Sequence, residues 1–374
     1  MIYTINSFEN SVTRGRLCIP AQPYVDKTTE KRKRWGKSMK HAAQKPIDFV
    51  IIWVDGNDPA WRAVKNQYVP KPVGEDDQEV RYRDWDNLQY WFRAVEKYTP
   101  WVNKIHFVTW GHLPKWMDTS NPKLHIVNHK DYIPEEYLPT FNSHTIEHNL
   151  HRIEGLAEQF VYFNDDMFIN KPMKPEDFFV DGKPCDTFAM DCIYWGKDSA
   201  GPYNGNDMAV INTHFPKKQA LLKNWRNWFR LRYGAKHLYR TLVLLPWAWF
   251  PGFYYHHLPN SFLKSTYEEV WAAEPEIMDE TCKCRIRSTT NVNQWLYKYW
   301  QLASGNFYPR TARIGRCYHI KDQNVYTLID SIKGHKDAMI CINDTAKTVN
   351  FEEKVQLVKD AFQSVLPEKS SFEL

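Results

Sequence analysis

The feature that most constrains this chain is an apolar run that ends in two adjacent carboxylates. Residues 160–163 are aromatic or β-branched, which is typical of a buried strand, and Asn164, Asp165 and Asp166 follow them. Ligands of open α/β sheets bind at the carboxyl ends of strands. Two crowded carboxylates are costly unless a cation offsets their repulsion. The run predicts either a divalent metal held against a diphosphate or an acidic turn, and on this stretch alone both interpretations stay open.

Two further apolar runs have the same kind of ending. Residues 47–54 are almost continuously apolar, as expected of a strand covered on both faces, and they lead into Asp55. Residues 339–342 form a shorter run that leads into Asn343 and Asp344. Three such ends could converge on one edge of a sheet, and together they favour a metal–diphosphate site over three unrelated turns.

The order of the predicted elements favours an α/β fold. Short strands are predicted at residues 105–110 and 124–127, and a helix with an apolar stripe at residues 86–97. Asp58 is predicted to cap a helix that starts at Pro59. Strands that alternate with helices predict a Rossmann-like, mostly parallel sheet with flanking helices.

Composition divides the 374 residues into three parts. Residues 1–45 are a basic polar extension, which predicts either a solvated tail or attraction to an anionic membrane surface. Residues 46–345 hold the predicted sheet and an aromatic-rich helical insertion at about 213–256. Residues 346–374 are predicted to be a C-terminal helix, at about 351–365, and a tail.

Composition also narrows the function classes. A net charge of +5 is too small to argue for nucleic acid as a partner. Seven cysteines without a regular framework predict reduced thiols and a cytosolic compartment. No secretory signal pattern and no apolar run long enough to span a bilayer is visible. The 16 tryptophans suit either sugar contact or core packing.

Two other patterns leave alternatives open. His144, His148 and His151 recur at spacings of four and three, so they share a helix face; zinc binding is one interpretation, and a polar face lining a cleft is the favoured one. Residues 242–255 carry no charge but contain two prolines. They predict either buried core or a dip into the lipid interface, and their short length favours core.

Taken in order, these segments resemble the conserved blocks of the Stealth proteins. That family of sugar-phosphate transferases includes bacterial capsule polymerases and an animal N-acetylglucosamine-1-phosphotransferase. The first block resembles residues 47–58 and the second residues 81–166. The third resembles residues 257–259 followed by Arg287, and the fourth residues 341–344. The resemblance therefore covers most of the chain.

Two positions depart from the family pattern. Asn87 stands where the family usually has Glu, and Gln89 stands where it often has Arg. These departures argue against a direct chemical role for residue 87.

The resemblance implies a phosphotransferase of the nucleotide-sugar transferase type, with residues 46–345 as its catalytic domain. The expected reaction moves a hexose-1-phosphate from a nucleotide diphosphosugar to a hydroxyl of a growing polysaccharide or oligosaccharide. The product is a phosphodiester in a capsular or cell-surface polysaccharide, and the leaving group is a nucleoside monophosphate. The expected location is cytoplasmic, with contact to the inner face of the membrane as an open alternative.

The resemblance also implies a role for particular residues. Oxygen ligands for Mg²⁺ or Mn²⁺ are expected from Asp165, Asp166, Asn343 and Asp344. Phosphate contacts and proton transfer are expected from Arg287, Arg93, His257 as the base and His144 as the reserve base. Substrate contacts are expected from Trp53, Asp55, Gly56, Arg81, Asn142 and Ser143.

Two other functions use the same features. A metal-dependent glycosyltransferase would need the same donor and acids, but it would attack the anomeric carbon and release a nucleoside diphosphate. A carbohydrate-binding protein without catalysis would need only the aromatic residues. The residue chemistry alone does not separate the first alternative from sugar-phosphate transfer; only the resemblance favours the latter.

Overall fold

The computed structural model describes residues 45–68, 85–194, 201–320, 324–344 and 350–374. Its strands are β1 (Ile47–Ile52), β2 (Ile105–Thr109), β3 (Leu124–Asn128), β4 (Gln159–Asn164), β5 (Met167–Ile169), β6 (Phe179–Val180), β7 (Lys183–Asp186), β8 (Asn260–Leu263), β9 (Tyr308–Pro309), β10 (Gly315–His319) and β11 (Met339–Asn343).

The α-helices in the same ranges are α1 (Pro59–Tyr68), α2 (Leu88–Tyr98), α3 (His129–Tyr132), α4 (Ser143–His148), α5 (Gly201–His214), α6 (Lys217–Trp228), α7 (Ala235–Leu244), α8 (Lys264–Ala273), α9 (Pro275–Lys283), α10 (Trp295–Ser304), α11 (Val325–Gly334) and α12 (Phe351–Val365). Short 3-10 helices occupy Glu135–Tyr137, Leu150–Arg152, Pro175–Asp177, Leu231–Tyr233 and Ala312–Ile314.

The main sheet has the strand order β3-β2-β1-β4-β8. Strands β3, β2, β1 and β4 are parallel, and β8 pairs antiparallel with β4 at the edge. The predicted α/β fold with a mostly parallel sheet is therefore confirmed. The chain order reverses between β1 and β4, and the crevice outside the carboxyl ends of two such strands is the usual ligand site of these sheets.

Both faces of the main sheet are covered, as the apolar run of β1 predicted. Phe49 and Ile51 pack into one apolar core, whereas Val50 points to the other. The predicted stripe of α2 lies in the first of these cores, where the Trp91 ring meets the Phe163 ring edge-on at 5.3 Å. The hydrophobic pattern thus fixes which faces the strands and helices bury.

A second sheet joins the site edge of the main sheet. Its order is β10-β11-β5, with β11 parallel to β10 and antiparallel to β5. Because β5 follows β4 after only two residues, Asp165 and Asp166, the turn between them connects the two sheets. A third sheet, β6-β7-β9, lies elsewhere in the described chain.

The C-terminal helix α12 packs on α2. The Tyr90 ring stacks on Phe362 at 5.5 Å, and the Phe168 ring of β5 lies 4.9 Å from the same Phe362. Helix α12 starts and ends where the sequence predicted. The segment after α12 also reaches α2, through the Arg93 ion pair described below.

The apolar run at 242–255 is only partly core. Leu244, Phe250 and Phe253 are buried, but Trp247 and Trp249 are exposed. The prediction that the whole run is buried is therefore wrong at its middle, because α7 ends at Leu244, just before Pro246, and the chain turns outward there.

No helix in the described ranges is long and apolar enough to cross a membrane. Apart from Lys45, the basic extension at 1–45 lies outside the described residues, and so does its expected membrane contact. The predicted substrate residue Arg81 also lies outside them.

Candidate active site

Three strand ends come to one edge of the main sheet. Asn164 ends β4 in register with the last residue of β1, and Asp55 follows β1 by three residues. The backbone N–H of Ile342 in β11 donates to the carbonyl oxygen of Asp166 over 2.8 Å. The apolar runs whose polar ends were expected to converge therefore do so in the structure.

Asp166 makes the contacts that define the candidate site. Its Oδ2 lies 3.3 Å from Nε2 of His257 and 3.3 Å from Sγ of Cys341. Its Oδ1 is buried and has no hydrogen-bond partner among the described residues. A carboxylate with one oxygen engaged and the other without a partner is suited to a cation. Asp165, beside it in the turn, is exposed.

The Cys341 thiol supports Asp166 as a weak hydrogen-bond donor. Burial raises the pKa of Cys341 well above its usual value, so the sulfur keeps its proton. Its Sγ also lies 3.5 Å from Sγ of Cys317 on the neighbouring strand β10. The S–H of Cys341 is thus engaged with Asp166, and the carboxylate and amide groups of this edge offer oxygen donors.

His257 lies in the irregular segment between α7 and β8, with its side chain about a third exposed. Burial acts to lower the pKa of His257, but the Asp166 carboxylate outweighs this effect and the pKa is raised. In the neutral ring, a hydrogen bond from Nε2–H to Asp166 leaves Nδ1 as the unprotonated nitrogen. The geometry thus gives the site a proton acceptor held by a carboxylate.

A chain of buried side chains runs behind His257. The Tyr162 hydroxyl lies 3.0 Å from Oε1 of Glu147 and donates to Oδ1 of Asn164. The amide nitrogen of Asn164 lies 3.4 Å from Nε2 of His257. Burial raises the pKa of Glu147 to about 7, even though the nearby Arg287 guanidinium acts to lower it. A proton on Glu147 fits the chain, because it can donate to the Tyr162 oxygen.

Arg287 follows α9 in the chain, and its side chain contacts the first residue of α4. Its Nη2 donates to Oγ of Ser143 at 2.7 Å, and its Nε donates to the same oxygen at 3.3 Å. The charges of Arg287 and His257 both act to lower the pKa of Glu147. Both predicted catalytic residues, Arg287 and His257, therefore lie close enough to Glu147 to act on its charge.

Asn142 holds the junction that carries Arg287. Its Nδ2 donates to the carbonyl of Cys284 and to Oδ1 of Asn291, and its Oδ1 accepts from the backbone N–H of His144. The side chain is fully buried. The structure thus gives Asn142, predicted as a substrate contact, a supporting position that fixes the loop before α10.

Arg93 is engaged far along the chain. Its Nε and Nη2 donate to the two carboxylate oxygens of Glu373 at 2.8 and 2.7 Å, and Nη1 donates to the carbonyl of Leu366. This two-point ion pair fastens the C-terminal segment to α2. Arg93 thus has a structural role at Glu373, and its predicted phosphate contact stays a prediction.

The three helix-face histidines are core residues, and the prediction of a polar cleft is wrong. Both ring nitrogens of His148 are bonded, to the Tyr297 hydroxyl at 2.9 Å and to the Val292 carbonyl at 3.0 Å. His151 packs beside aromatic rings. Burial lowers the pKa of His144 well below its usual value, and its ring packs on Tyr203. We therefore leave His144 out of the proposed chemistry.

The predicted nucleotide-side residues lie at the end of β1. The backbone N–H of Asp55 donates to Nε2 of His112 at 2.8 Å, and Nδ1 of His112 lies 2.9 Å from the Asp58 carboxylate. The Trp53 ring packs edge-on against His112 at 5.2 Å. Gly56 is buried in the turn that follows. These contacts shape the β1 side of the crevice, and nucleotide binding there stays a prediction.

The capping prediction beside this turn is confirmed. Oδ1 of Asp58 accepts from the backbone N–H groups of Ala60 and Trp61, and α1 starts at Pro59.

The end of β11 supplies the remaining oxygen donors. Asn343 is half-buried and its Nδ2 lies 3.1 Å from Nδ1 of His319, so its amide oxygen faces away from that contact. Asp344, also half-buried, is the next residue. Because β11 is bonded to the turn after β4, both residues lie on the Asp166 side of the edge.

The residues present fit a divalent cation. Ligand atoms of Asp166, His257 and Cys341 lie within 4.8 Å of one another in the described part of the chain. The buried Oδ1 of Asp166 has no hydrogen-bond partner there. The carboxylate and amide oxygens at this edge, from Asp166, Asn343 and Asp344, are donors that a divalent cation can take.

Several members of this cluster carried no catalytic signal in the sequence. In the sequence, Tyr162 is one aromatic residue of a predicted buried strand, and Glu147 lies in the first turns of a predicted helix. Cys341 lies inside the fourth Stealth-like block, which was the only available pointer to it. Their association with His257 comes from the fold, which brings α4, β4 and β11 together.

Comparison with known proteins identifies the family. The conserved region 1 profile of the Stealth proteins (CR1) matches residues 45–72, and the conserved region 2 profile (CR2) matches residues 81–186. A capsular polysaccharide phosphotransferase, WcwK, of Streptococcus pneumoniae is 44% identical over 337 residues, covering 90% of this chain and 99% of that protein.

Two further relatives agree with this assignment. The receptor polysaccharide phosphotransferase WefC of Streptococcus gordonii is 40% identical, covering 88% of this chain and 99% of its own. The exopolysaccharide phosphotransferase cps2G of Lactiplantibacillus plantarum is 38% identical, covering 87% and 96%. Among solved structures, the galactosyltransferase LgtC gives a TM-score of 0.35 at 10% identity over 84% of this chain and 95% of that one, which is a weak likeness.

High identity over nearly the full length of these relatives, together with the two conserved regions, shows that this chain belongs to the Stealth family of polysaccharide phosphotransferases.

Proposed function

We propose that this phosphotransferase moves a hexose-1-phosphate from a nucleotide diphosphosugar to a sugar hydroxyl of a growing surface polysaccharide. The observation that carries the proposal is the Asp166 carboxylate, with Oδ2 on His257 and Oδ1 buried without a partner in the described chain. It lies where the chain order of the sheet reverses, the usual place for a nucleotide ligand. The relatives, all named as polysaccharide phosphotransferases, support the same class of reaction.

The donor diphosphate concentrates negative charge, so the site needs cations. Asp166, with Asp165, Asn343 and Asp344 beside it, would hold Mg²⁺ or Mn²⁺, which when bound neutralises charge on the diphosphate. Arg287 supplies a planar guanidinium for the same phosphates, and Ser143 orients it. These residues stabilise the charge that builds on the leaving phosphate.

Proton transfer is assigned to His257. Asp166 accepts from Nε2–H, so Nδ1 of the neutral ring takes the proton of the acceptor hydroxyl. The acceptor oxygen then bonds to the sugar-bearing phosphorus, and the bond from that phosphorus to the bridging oxygen breaks. The nucleoside monophosphate leaves with that oxygen. Glu147 and Tyr162 fix the side chain of Asn164, which lies beside the ring.

The released nucleotide tests this proposal. The full-length protein is incubated with a panel of nucleotide sugars, an oligosaccharide acceptor and Mg²⁺ or Mn²⁺. Liquid chromatography identifies the nucleotide, and phosphorus NMR detects the phosphodiester. We expect a nucleoside monophosphate with wild type and none with Asp166→Asn. Release of a nucleoside diphosphate, without a phosphodiester, would replace the proposal by the glycosyltransferase alternative.

A further inference from the structure

A basic aromatic surface lies outside the site, on helices α6 and α7 and on the turn at residues 245–249. Its exposed apolar side chains are Leu222, Trp225, Leu231, Tyr239, Leu242, Val243, Trp247 and Trp249. Trp249 is 63% exposed and Leu231 is 90% exposed. Large apolar side chains grouped in this way mark an interaction surface more often than scattered single ones do.

The two helices direct these side chains outward. In α6, Ala220, Asn224 and Trp228 are buried at spacings of four, while Leu222 and Trp225 lie on the opposite, exposed side. The inner face is fixed, because Nδ2 of Asn224 donates to the carbonyl of Ala303 in α10. In α7, residues 239, 242 and 243 share one face at helical spacing and are exposed.

Buried Lys217 joins the parts of this surface. Its Nζ donates to the carbonyls of Leu244 at 2.6 Å and Trp247 at 2.7 Å. The first turn of α6 is thereby held against the end of α7 and the exposed turn that follows. Trp247 therefore lies beside the first turn of α6, where Lys218 is exposed.

Helices α6 and α7 and the turn after them carry only positive charges, although Arg240 pairs with Asp191. Between Asp207 and Glu268 the sequence contains no acidic residue. The same stretch carries eight lysines and arginines between residues 217 and 240, most of them exposed. At the far end of α6, Lys183, Arg230 and Arg232 line a cavity of about 210 Å³ together with Asp181. That cavity lies next to the highly exposed Leu231 and suits a phosphate group.

We propose that the basic aromatic surface binds the chain peripherally to an anionic membrane. Tryptophan and tyrosine favour the headgroup boundary, aliphatic side chains enter the acyl region, and lysine and arginine attract anionic lipids. Sugar chains need polar partners beside aromatic rings, whereas Leu222, Leu242 and Val243 offer none. A second copy of the chain would bring two positive surfaces together, which opposes self-association.

This surface is connected along the chain to the candidate site. The backbone N–H of Phe250 donates to Oδ1 of Asn212, and the carbonyl of Gly252 accepts from the N–H of Asp191. At Gly252 a Cβ would come within 2.7 Å of the Asp191 carbonyl oxygen, so only glycine fits this close approach. The segment anchored at residues 250–252 continues along the chain to His257. Membrane binding would therefore hold the site at a fixed distance from the bilayer.

Vesicle binding by full-length protein tests the surface. Wild type is floated with vesicles of phosphatidylglycerol and phosphatidylcholine, and with phosphatidylcholine alone, at 0.1 M salt. The charge variant Lys218→Glu/Lys223→Glu/Arg226→Glu should lose about 100-fold in partitioning to the anionic vesicles. The matched control Tyr326→Ser/Lys333→Glu changes an exposed aromatic and an exposed lysine on α11 and should bind like wild type.

A second measurement asks whether the tryptophans enter lipid. Lipids brominated along the acyl chain should quench wild-type tryptophan fluorescence, and Trp247→Ser/Trp249→Ser should lose most of that quenching. Equal flotation of wild type and the charge variant would overturn the proposal. So would equal binding to a soluble anionic polysaccharide without bromine quenching, or a dimer that the tryptophan variant abolishes. Turnover with a soluble acceptor should not change in either surface variant, so the result is independent of the reaction proposed above.

Discussion

Two aspartates at opposite edges of the main sheet have opposite surroundings. Asp48 lies near the amino end of β1, where its two oxygens accept from Asn103 Nδ2 at 2.7 Å, the Ala157 N–H at 2.8 Å and His106 Nε2 at 3.1 Å. Asp166 lies beyond the carboxyl end of β4 and keeps one buried oxygen without a partner in the described chain. One carboxylate is saturated by the protein, and the other is not.

The contrast shows how the same residue type serves two purposes in one sheet. Burial works against the ionised form of Asp48, but its hydrogen bonds, His106 foremost, outweigh burial and lower its pKa. That site has no capacity left for a ligand. At Asp166 the fold leaves a lone pair unused, which is costly in a buried group unless a ligand takes it. We infer that the amino edge of the sheet serves stability and the carboxyl edge serves chemistry.

The largest expected effect comes from Asp166→Asn. The substitution removes the charge from the candidate cation ligand, and we expect turnover to fall by about 10³-fold or more. The melting temperature should stay within a few degrees of wild type, because Asp166 is not saturated by the fold. Turnover and thermal unfolding of the same preparation check both halves. Near-normal turnover would remove Asp166 from the metal assignment.

The next largest effect is expected at Arg287. Arg287→Lys should be nearly as damaging as Arg287→Ala, with turnover lowered about 10²-fold in each, because a point charge does not replace a planar two-point phosphate contact. Arg93→Lys is the matched control: Arg93 makes its two-point contact with Glu373. It should lower the unfolding temperature and leave turnover per folded molecule unchanged. If Lys restores most activity at position 287, Arg287 supplies only bulk positive charge.

At the amino edge the effect should be on stability alone. In Asp48→Asn, the new amide N–H₂ faces a donor that hydrogen-bonds to the carboxylate in the wild type. We expect a loss of about 3 kcal/mol in the free energy of unfolding. Turnover per folded molecule should stay within about twofold of wild type. Urea unfolding and active-site titration measure the two quantities. A selective loss of turnover at unchanged stability would break the division between the edges.

The sequence predicted the positions of the edges better than their contacts. The apolar runs and their polar endings were sufficient to place Asp55, Asp166 and Asn343 at one edge, because burial period and strand direction are local properties. The segment that carries His257 to Asp166 is neither helix nor strand, so its sequence has no hydrophobic periodicity that could predict its path. Only the Stealth resemblance pointed to that histidine.

The predictions for the histidines and for Arg93 lacked the same kind of information. Helical spacing shows that His144 and His148 share a side of the helix, but it does not show what covers that side, and here it is the aromatic core. Arg93 pairs with Glu373, 280 residues later, and no local pattern encodes such a pair. Long-range partners decide whether a polar residue serves structure or chemistry, and they become visible only in the folded chain.

The last expected effect is a pair of opposite pH dependences of stability. Glu147 has a pKa of about 7 in the folded protein against 4.5 as an ordinary glutamate, so between these values the folded state binds more protons than the unfolded one. Its contribution is complete below pH 4.5 and is lost as pH rises through 7, with a slope of at most about 1.4 kcal/mol per pH unit. The pKa of Asp48 is lowered, so its contribution is present above pH 3.8 and is lost as pH falls below that value.

Urea unfolding of wild type and Glu147→Gln from pH 4.5 to 8 should show a difference that grows in favour of the variant, whereas Asp48→Asn should approach wild type only in acid. A flat difference for Glu147→Gln would mean that Glu147 is ionised in the folded protein. The proton shared with Tyr162 would then have to come from the tyrosine itself.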